Sequence, residues 1–503
     1  MTTYPARVIA LALSAAAVAT TVAAVTGPSA RAREAPGPRT GLDWRPCAAG
    51  TGAGSRECAE LSVPVDYRDP RGERLTVAVT RLVSDRPAAR RGTLLLIPGG
   101  PGNSGTAEVA RKGPALRAEL GGAYDIVGLD PRGTGGSTGA ACGLPAEDRR
   151  LVNLRPWPAA DGSIAAGTER ARRTAGACGR DGGPVLRSIS TLNEVRDIES
   201  FRRALGVERL SAVGTSYGAY AGAVYAQKYP HRTDRWVLDS SGDPDPARVG
   251  RGWLANMARG AEDRFPDYAA WASDPAREGE GLRLADRAEE VRPLFLALAA
   301  ELDRAPKESA TPGVPLTGNL LRQAMQTALH SDTAFPGFTR LLSAARTPGA
   351  KPVLPAALVE PLTERETAVA IAVVCNDVKW PGSVQGYGRE VAADRARHPL
   401  TAGMPVNITA CAFWKNDRRE KPVRITDRGP SNILMIQNLR DPATPYSGAL
   451  RMREALGERA RLVSVDRGGH GVYPAAGSVC GNRAVTGFLT TGERPARDLS
   501  CPA

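Results

Sequence analysis

The apolar positions of this chain form short runs separated by turns, with a change of rhythm near the middle. In the first half, some segments alternate apolar and polar residues, and others are largely apolar runs of the length that buried strands have. The predicted strands are residues 61–67, 75–83, 93–97, 124–129, 210–213 and 236–238. Helical spacing of apolar residues, at 193–205 and 217–229, separates the later strands. Strands that alternate with helices predict a mostly parallel sheet covered by helices on both faces.

Strand alternation stops at about residue 243, where helical segments broken by Pro begin to follow one another. Strands return at 432–436 and 460–465. One α/β core with a large helical insertion accounts for both changes. The predicted segments are a leader at 33–60, core at 61–242, a helical cap at 243–427 and the rest of the core at 428–503.

The first residues have the pattern of an export signal. Arg7 precedes an apolar run of small residues at 8–25, and Ala30-Arg31-Ala32 has the A-x-A form of a cleavage site. A membrane anchor is the alternative, but the run is weakly hydrophobic and the cleavage pattern follows it directly. We therefore predict a signal peptide at 1–32 and a secreted protein. No later segment has the roughly 18 apolar residues of a spanning helix, so no membrane insertion is expected after cleavage.

Composition excludes some classes of function. The chain has 503 residues, of which 42% are hydrophobic and 24% charged, as in folded globular proteins. Its formal charge is +13, but the basic residues are scattered and mostly Arg, so we expect no nucleic-acid partner. With four His and neither a C-x-x-C nor an H-E-x-x-H pattern, no metal site is predicted.

All eight Cys follow the predicted signal peptide, and an exported chain meets an oxidising environment in which disulfides form. The sequence allows many connectivities. We predict that neighbours along the chain pair, as Cys47 with Cys58, Cys142 with Cys178, Cys375 with Cys411, and Cys480 with Cys501.

The pattern G-x-S-x-G, which can surround a catalytic serine, occurs twice, at 214–218 and 135–139. A nucleophile elbow needs a strand that runs into a sharp turn and then a helix, so that the hydroxyl projects above the sheet. Ser216 has a predicted strand before it and a predicted helix after it. Ser137 lies in a glycine-rich loop without a following helix. Ser216 is therefore the predicted nucleophile, and Ser137 is interpreted as a turn serine.

A serine hydroxyl needs a His to accept its proton and an acid to orient that His. In α/β-hydrolases the chain order is Ser, acid, His, with the acid and His in loops after late strands. Only His470 lies late enough, in a Gly-rich loop after the strand at 460–465. Asp441 follows the preceding strand and is the predicted acid, although an Asp before Pro442 is also typical of a turn. His231, His330 and His398 are interpreted as surface or core residues.

Acyl hydrolysis also needs donors for the tetrahedral oxyanion. The usual donors are the backbone N–H after the nucleophile and one from the loop after an early strand. The predicted donors are Tyr217, which follows Ser216, and Gly100, which follows the strand at 93–97.

These residues resemble the secreted tripeptidyl aminopeptidases of the prolyl-aminopeptidase family. The resemblance spans nearly the whole mature chain, and its motifs are PGGPG at 98–102, DPRGTG at 130–135, GTSYG at 214–218 and the late Asp441 and His470. Prolyl aminopeptidases commonly carry His where this chain has Pro98, which puts specificity for proline in doubt. The resemblance implies an α/β-hydrolase fold and removal of short peptides, tripeptides above all, from free amino ends without a cofactor.

An aminopeptidase must hold the substrate's ammonium group, and a partly buried carboxylate can do so. Among the acids of the predicted cap we select Asp377, which ends an apolar helical run beside Cys375; a helix-end Asp without a ligand is the alternative. Two other functions stay open. A secreted carboxylesterase would use the same catalytic residues, and a catalytically idle binding protein could share the fold.

Overall fold

Ten strands form one sheet in the part of the chain that the computed structural model describes, residues 41–48, 56–247, 249–415, 420–474 and 478–503. The predicted signal peptide and residues 33–40 lie outside it. The strands are β1 (Arg45–Pro46), β2 (Arg56–Pro64), β3 (Arg74–Leu82), β4 (Gly92–Ile97), β5 (Tyr124–Leu129), β6 (Leu210–Thr215), β7 (Thr233–Asp239), β8 (Ile433–Arg440), β9 (Ala460–Gly468) and β10 (Leu499–Cys501).

The order in the sheet is β1-β2-β3-β5-β4-β6-β7-β8-β9-β10. β1, β2, β3 and β5 pair antiparallel, and every pair from β5 through β4 to β10 is parallel. The parallel strands carry their carboxyl ends to one edge, where ligands bind in open α/β sheets. β6 and β8 end at that edge, immediately before Ser216 and Asp441.

Helices cover the sheet and build the insertion. The α-helices of the described residues are α1 (Gly105–Glu119), α2 (Leu151–Leu154), α3 (Ala165–Asp181), α4 (Gly183–Ser188), α5 (Thr191–Ala204), α6 (Tyr217–Lys228), α7 (Arg251–Ser273), α8 (Ala288–Arg304), α9 (Gly318–Ala328), α10 (Phe335–Arg346), α11 (Ala356–Val359), α12 (Glu364–Asp377), α13 (Val384–Arg397), α14 (Tyr446–Leu456) and α15 (Val479–Thr491).

The period of two along each strand sends alternate side chains to opposite faces of the sheet. In β4, Leu95 and Ile97 join one apolar cluster with α5 and α6, whereas Leu94 and Leu96 join another with α1 and α15. Both faces are therefore buried, which explains why this strand is an almost continuous apolar run.

A third apolar cluster belongs to the insertion and is built mainly from α7, α8, α9 and α10. Phe265, Tyr268, Phe295, Phe335 and Phe338 pack in it with ring centroids 5.0–6.2 Å apart. The insertion thus has a core of its own and forms a helical cap between β7 and β8.

The structure confirms the four predicted disulfides, Cys47–Cys58, Cys142–Cys178, Cys375–Cys411 and Cys480–Cys501, and no described Cys is free. Cys375–Cys411 ties α12 to the later part of the cap. Cys480–Cys501 ties α15 to the edge strand β10.

Several elements differ from the predictions. β2 begins at Arg56, inside the predicted leader, and the edge strands β1 and β10 were not predicted because two or three residues carry too little periodicity. α2, α3 and α4 lie between β5 and β6, so helical structure outside the sheet begins well before residue 243. Among the described residues, no helix combines the length and apolar character needed to cross a membrane.

Candidate active site

Ser216 lies on a sharp turn between β6 and α6. Its backbone has φ 62° and ψ −124°, a conformation that costs a non-glycine residue free energy and marks nucleophile elbows. The turn is held from the neighbouring strand, because the Ser216 N–H donates a 2.9 Å hydrogen bond to the carbonyl of Asp239.

The two glycines of the motif allow this turn through close approach. A Cβ at Gly218 would overlap the carbonyl oxygen of Ile97, and a Cβ at Gly214 would overlap that of Gly218. Strand β4, the turn and the start of α6 therefore pack closer together than any side chain permits.

His470 and Asp441 meet although they lie on different loops. The imidazole Nδ1 of His470 is 2.9 Å from Asp441 Oδ2 and 3.0 Å from Oδ1. The Asp441 side chain is fully buried, whereas that of His470 retains 16% of its exposure. His470 also lines a cavity that contains Ser216. The structure thus brings together the three residues predicted as nucleophile, acid and base.

Further hydrogen bonds hold the Asp441 carboxylate in place. It accepts bonds from the backbone N–H groups of Ala443 and Thr444, at 2.8 and 2.9 Å, and from the Thr444 hydroxyl at 2.9 Å. Burial alone would raise the pKa of Asp441. The His470 charge and these donors outweigh burial and lower it, so Asp441 is a carboxylate when it orients His470.

Burial alone would lower the pKa of His470, but the charge and hydrogen bond of Asp441 outweigh it and the pKa is raised above its ordinary value. The imidazolium that forms when His470 takes a proton from serine is therefore stabilised.

The loop of His470 is held from both the core and the cap. The Asp239 carboxylate accepts hydrogen bonds from the N–H groups of Val472 and Tyr473, at 3.0 and 2.8 Å, and Asn438 donates to the carbonyl of Gly469 at 3.0 Å. From the cap, the carbonyl of His330 accepts the N–H of His470 at 2.9 Å.

Both predicted oxyanion donors belong to segments that adjoin Ser216. Tyr217 is the first residue of α6, so its N–H has no partner within the helix ladder. A Cβ at Gly99 would lie 3.1 Å from the Cβ of Ser216, and Gly100 lines both cavities that contain Ser216. The position of Tyr217 suits a backbone donor, because it lies at the amino end of a helix.

Ser216 borders two cavities. The first, of about 320 Å³, lies under α7 and α12 and is lined mainly by apolar side chains, among them Trp253, Met257, Ile371 and Trp380. The second, of about 610 Å³, contains His470 and is lined mainly by polar and charged side chains. We call them the apolar cavity and the polar cavity.

Asp377 lies elsewhere, and the predicted ammonium site needs correction. Its carboxylate accepts hydrogen bonds from the N–H and hydroxyl of Thr191, at 2.9 and 2.5 Å, and it lines a separate cavity beside α5. Neither cavity that contains Ser216 is lined by Asp377. The last turn of α12 directs this side chain toward the start of α5, which the sequence pattern could not reveal.

Of the other serine and histidine residues considered from the sequence, Ser137 and His398 have structural partners, whereas His330 lies beside His470. Ser137 is buried, and its hydroxyl donates to the carbonyl of Asp130 at 2.7 Å and accepts from the N–H of Ala78 at 3.0 Å. His398 pairs with Asp394 at 2.7 Å. His330, interpreted from sequence as a surface or core residue, instead lines the polar cavity, with its ring 5.5 Å from that of His470.

Sequence reasoning missed Asp239, Thr444 and Arg155 as residues of the site. Asp239 is the last residue of β7, and Thr444 lies shortly after the end of β8, so their positions at the carboxyl ends of strands could have indicated them. Arg155 lines both cavities but belongs to a connection far from every motif, so no sequence signal marked it.

The sequence of this chain is similar to those of known hydrolases. A family model described as alpha/beta hydrolase fold matches residues 92–287, and one described as TAP-like protein matches residues 399–501. The tripeptidyl aminopeptidase of Streptomyces lividans is 32% identical over 92% of this chain and 87% of its own. Serine protease Hip1 of Mycobacterium tuberculosis is 28% identical over 95% of this chain and 94% of its own. Carboxylesterase B of that organism is 30% identical over 88% of this chain and 86% of its own. The predicted family resemblance and fold class are confirmed.

Proposed function

Because this chain belongs to the tripeptidyl aminopeptidase family of α/β-hydrolases, we propose that it releases tripeptides from peptides with a free amino end, through an acyl-enzyme on Ser216. It is a serine hydrolase of the peptidase type. The observation that carries the proposal is the position of Ser216 between the two cavities, with His470 and its partner Asp441 on the polar side.

The proposed reaction follows from the donors and acceptors around Ser216. Neutral His470 takes the proton of the Ser216 hydroxyl as the oxygen attacks the substrate carbonyl. The backbone N–H groups of Tyr217 and Gly100 stabilise the oxyanion that forms. His470 then gives its proton to the departing amine, and a water activated by the same base releases the acyl group.

This order of steps assigns a role to each cavity. The departing amine must face His470, so the leaving peptide occupies the polar cavity. The acyl part then occupies the apolar cavity, whose volume of about 320 Å³ is at the small end of the range for ligand pockets. A pocket of this size limits the acyl part to a short peptide, in agreement with release of tripeptides.

The test is hydrolysis of matched chromogenic substrates by the purified mature protein. We expect release of the amine from a tripeptide anilide with a free amino end, and little release when the same amino group is acetylated. Equal cleavage of both anilides would contradict an aminopeptidase and indicate an endopeptidase or a general amidase.

A carboxylesterase is the second candidate, supported by the similarity to carboxylesterase B. Since Ser216, His470 and the oxyanion donors serve esters equally well, only the choice of substrate distinguishes an esterase from a peptidase. Rapid cleavage of short-chain nitrophenyl esters together with inert tripeptide anilides would favour the esterase.

We also propose that the mature protein acts outside the cytoplasm, after removal of residues 1–32. The four disulfides support an oxidising location. Mass spectrometry of the protein from culture medium tests this: we expect a chain that begins at Arg33. A chain found only inside cells, with its first residues intact, would contradict it.

A further inference from the structure

Arg155 is a cation without a counterion next to the candidate nucleophile. It follows α2 directly and lines both the apolar and the polar cavity, as Ser216 does. Within the described parts of the chain, no carboxylate lies within ion-pair distance of its guanidinium, whose Nη1 lies 3.9 Å from the sulfur of Met257. Burial lowers its pKa, yet an arginine stays protonated in a protein.

The other charged groups on the same walls have partners of opposite charge. In the polar cavity, Glu108 pairs with both Arg111 and Lys112, at 2.7 and 2.6 Å, and Asp332 lies 3.6 Å from Arg467. In the apolar cavity, the carboxylate of Asp148 lies 3.3 Å from Arg170 and 3.6 Å from Arg173. Arg155 therefore differs from these neighbours in having no carboxylate partner among the described residues.

A partly buried and uncompensated cation is costly, and the cost falls when an anion binds to it. The planar fork of arginine suits a carboxylate, which can accept two parallel hydrogen bonds. The backbone of Arg155 is fixed, because its N–H donates to the carbonyl of Leu151 at 2.9 Å and its carbonyl accepts from the N–H of Trp157 at 2.8 Å. A guanidinium that extends from this fixed backbone and lines both cavities of Ser216 can contact a group close to the scissile bond.

We propose that Arg155 binds a carboxylate of the leaving part of the peptide substrate, within about one residue of the scissile bond. This inference rests on the proposed function and names its substrate class. The leaving side is favoured because the polar cavity carries four cationic side chains, Arg111, Lys112, Arg155 and Arg467, against the two carboxylates Glu108 and Asp332. The carboxylate is either the chain terminus of a one-residue leaving group or an acidic side chain at that residue.

The test compares Arg155→Met with the unmutated enzyme on matched substrates. The tetrapeptide Ala-Ala-Ala-Ala is offered as free acid and as amide, Ala-Ala-Ala-Asp-amide is compared with its Asn counterpart, and Ala-Ala-Ala-anilide lacks any carboxylate. We expect kcat/KM to fall about 10- to 100-fold, mostly through KM, on the carboxylate substrates, and to change less than about threefold on the anilide. A loss confined to the tetrapeptide acid would show that Arg155 binds the terminal carboxylate, and a loss confined to the Asp substrate would show that it binds the acidic side chain.

Two variants control for indirect effects. Arg155→Lys keeps the charge but not the fork and should restore part of the loss. Arg259→Met removes an exposed cation that pairs with Asp263 and lines neither cavity, so it should leave the discrimination intact. Equal losses on the anilide and on both carboxylate substrates would overturn the proposal by making Arg155 structural. An unmutated enzyme that cleaves acid and amide alike, and the Asp and Asn substrates alike, would overturn it too. If the unmutated enzyme cleaves no anilide and no tetrapeptide, the proposed function itself fails, and the inference fails with it.

Discussion

The phenol oxygen of Tyr217 lies 2.7 Å from the carboxyl oxygen Oε2 of Glu194. It is also 2.9 Å from the hydroxyl of Thr191, which donates to Asp377. Tyr217 has one proton for two neighbours, so an ionised Glu194 and Thr191 compete for it. A protonated Glu194 resolves the competition, because Glu194 can then donate to Tyr217, Tyr217 to Thr191 and Thr191 to Asp377.

Burial raises the pKa of Glu194 to about 8, in agreement with this chain of donors, and its other oxygen has no hydrogen-bond partner among the described residues. The unfolded chain ionises this group near its ordinary pKa, so the folded state holds the extra proton between about 4.5 and 8. Stability must therefore fall as pH rises through that window, by an amount on the order of a few kcal/mol.

Glu194→Gln should remove this dependence, because an amide can donate to Tyr217 at every pH. We expect the melting temperature of the variant to equal or exceed that of the unmutated protein at pH 9, and the difference to shrink at pH 5. Thermal unfolding at both values measures it. A variant less stable at both pH values by the same amount would show that Glu194 is ionised in the folded protein.

Ser216→Ala should abolish hydrolysis while preserving the fold, since it removes only one hydroxyl from the turn. We expect kcat to fall roughly 10³-fold or more. Ser137→Ala is the matched control from the second G-x-S-x-G pattern: it loses two hydrogen bonds, so stability can fall by about 1–2 kcal/mol, but kcat should persist. Activity lost in Ser137→Ala and kept in Ser216→Ala would reverse the assignment.

The pH dependence of kcat/KM should report His470. Only its neutral form accepts the serine proton, and its pKa is raised, so activity should appear as pH rises through a value above 6.5. Asp441→Asn removes the charge that raises this pKa, so the acid limb should move to lower pH while kcat falls steeply, on the order of 10⁴-fold. An acid limb that stays in place in Asp441→Asn would contradict the pairing.

Thr444 should act as a positioning residue. Its hydroxyl is 2.9 Å from Asp441 Oδ2 and 3.3 Å from His470 Nδ1, so Thr444→Val leaves Asp441 with one donor fewer. We expect kcat to fall about tenfold with KM little changed, and Thr444→Ser to restore it. Steady-state kinetics of both variants provide the measurement; equal losses in Val and Ser would show that the hydroxyl does not account for the effect.

The four disulfides predict the outcome of a thiol titration. The unfolded but unreduced mature protein should react with no equivalent of a thiol reagent, and the reduced protein with eight. Two reactive thiols before reduction would mean that one of the pairs is open in the isolated protein.

Local sequence determined much of this protein. The apolar runs predicted the core strands to within a few residues, because period and burial are properties of neighbouring positions. The strand, turn and helix around Ser216 could be predicted for the same reason. Asp441 and His470 could be selected because each closely follows a late strand, β8 or β9. Each disulfide joins two Cys residues that are consecutive among the eight along the chain, so the simplest pairing was also the observed one.

Tertiary structure alone decided the surroundings of the site. Asp377 was predicted to face the substrate, but the packing of α12 on α5 gives its carboxylate to Thr191. His330 and Arg155 reach the cavities of Ser216 because the cap and the connection after β5 fold over the same edge of the sheet. The lack of a described carboxylate beside Arg155 and the hydrogen bonds of Tyr217 both depend on distances between residues far apart in the chain. Hydrophobic period and short motifs carry no information about such distances, since they describe only what lies next to each residue along the backbone.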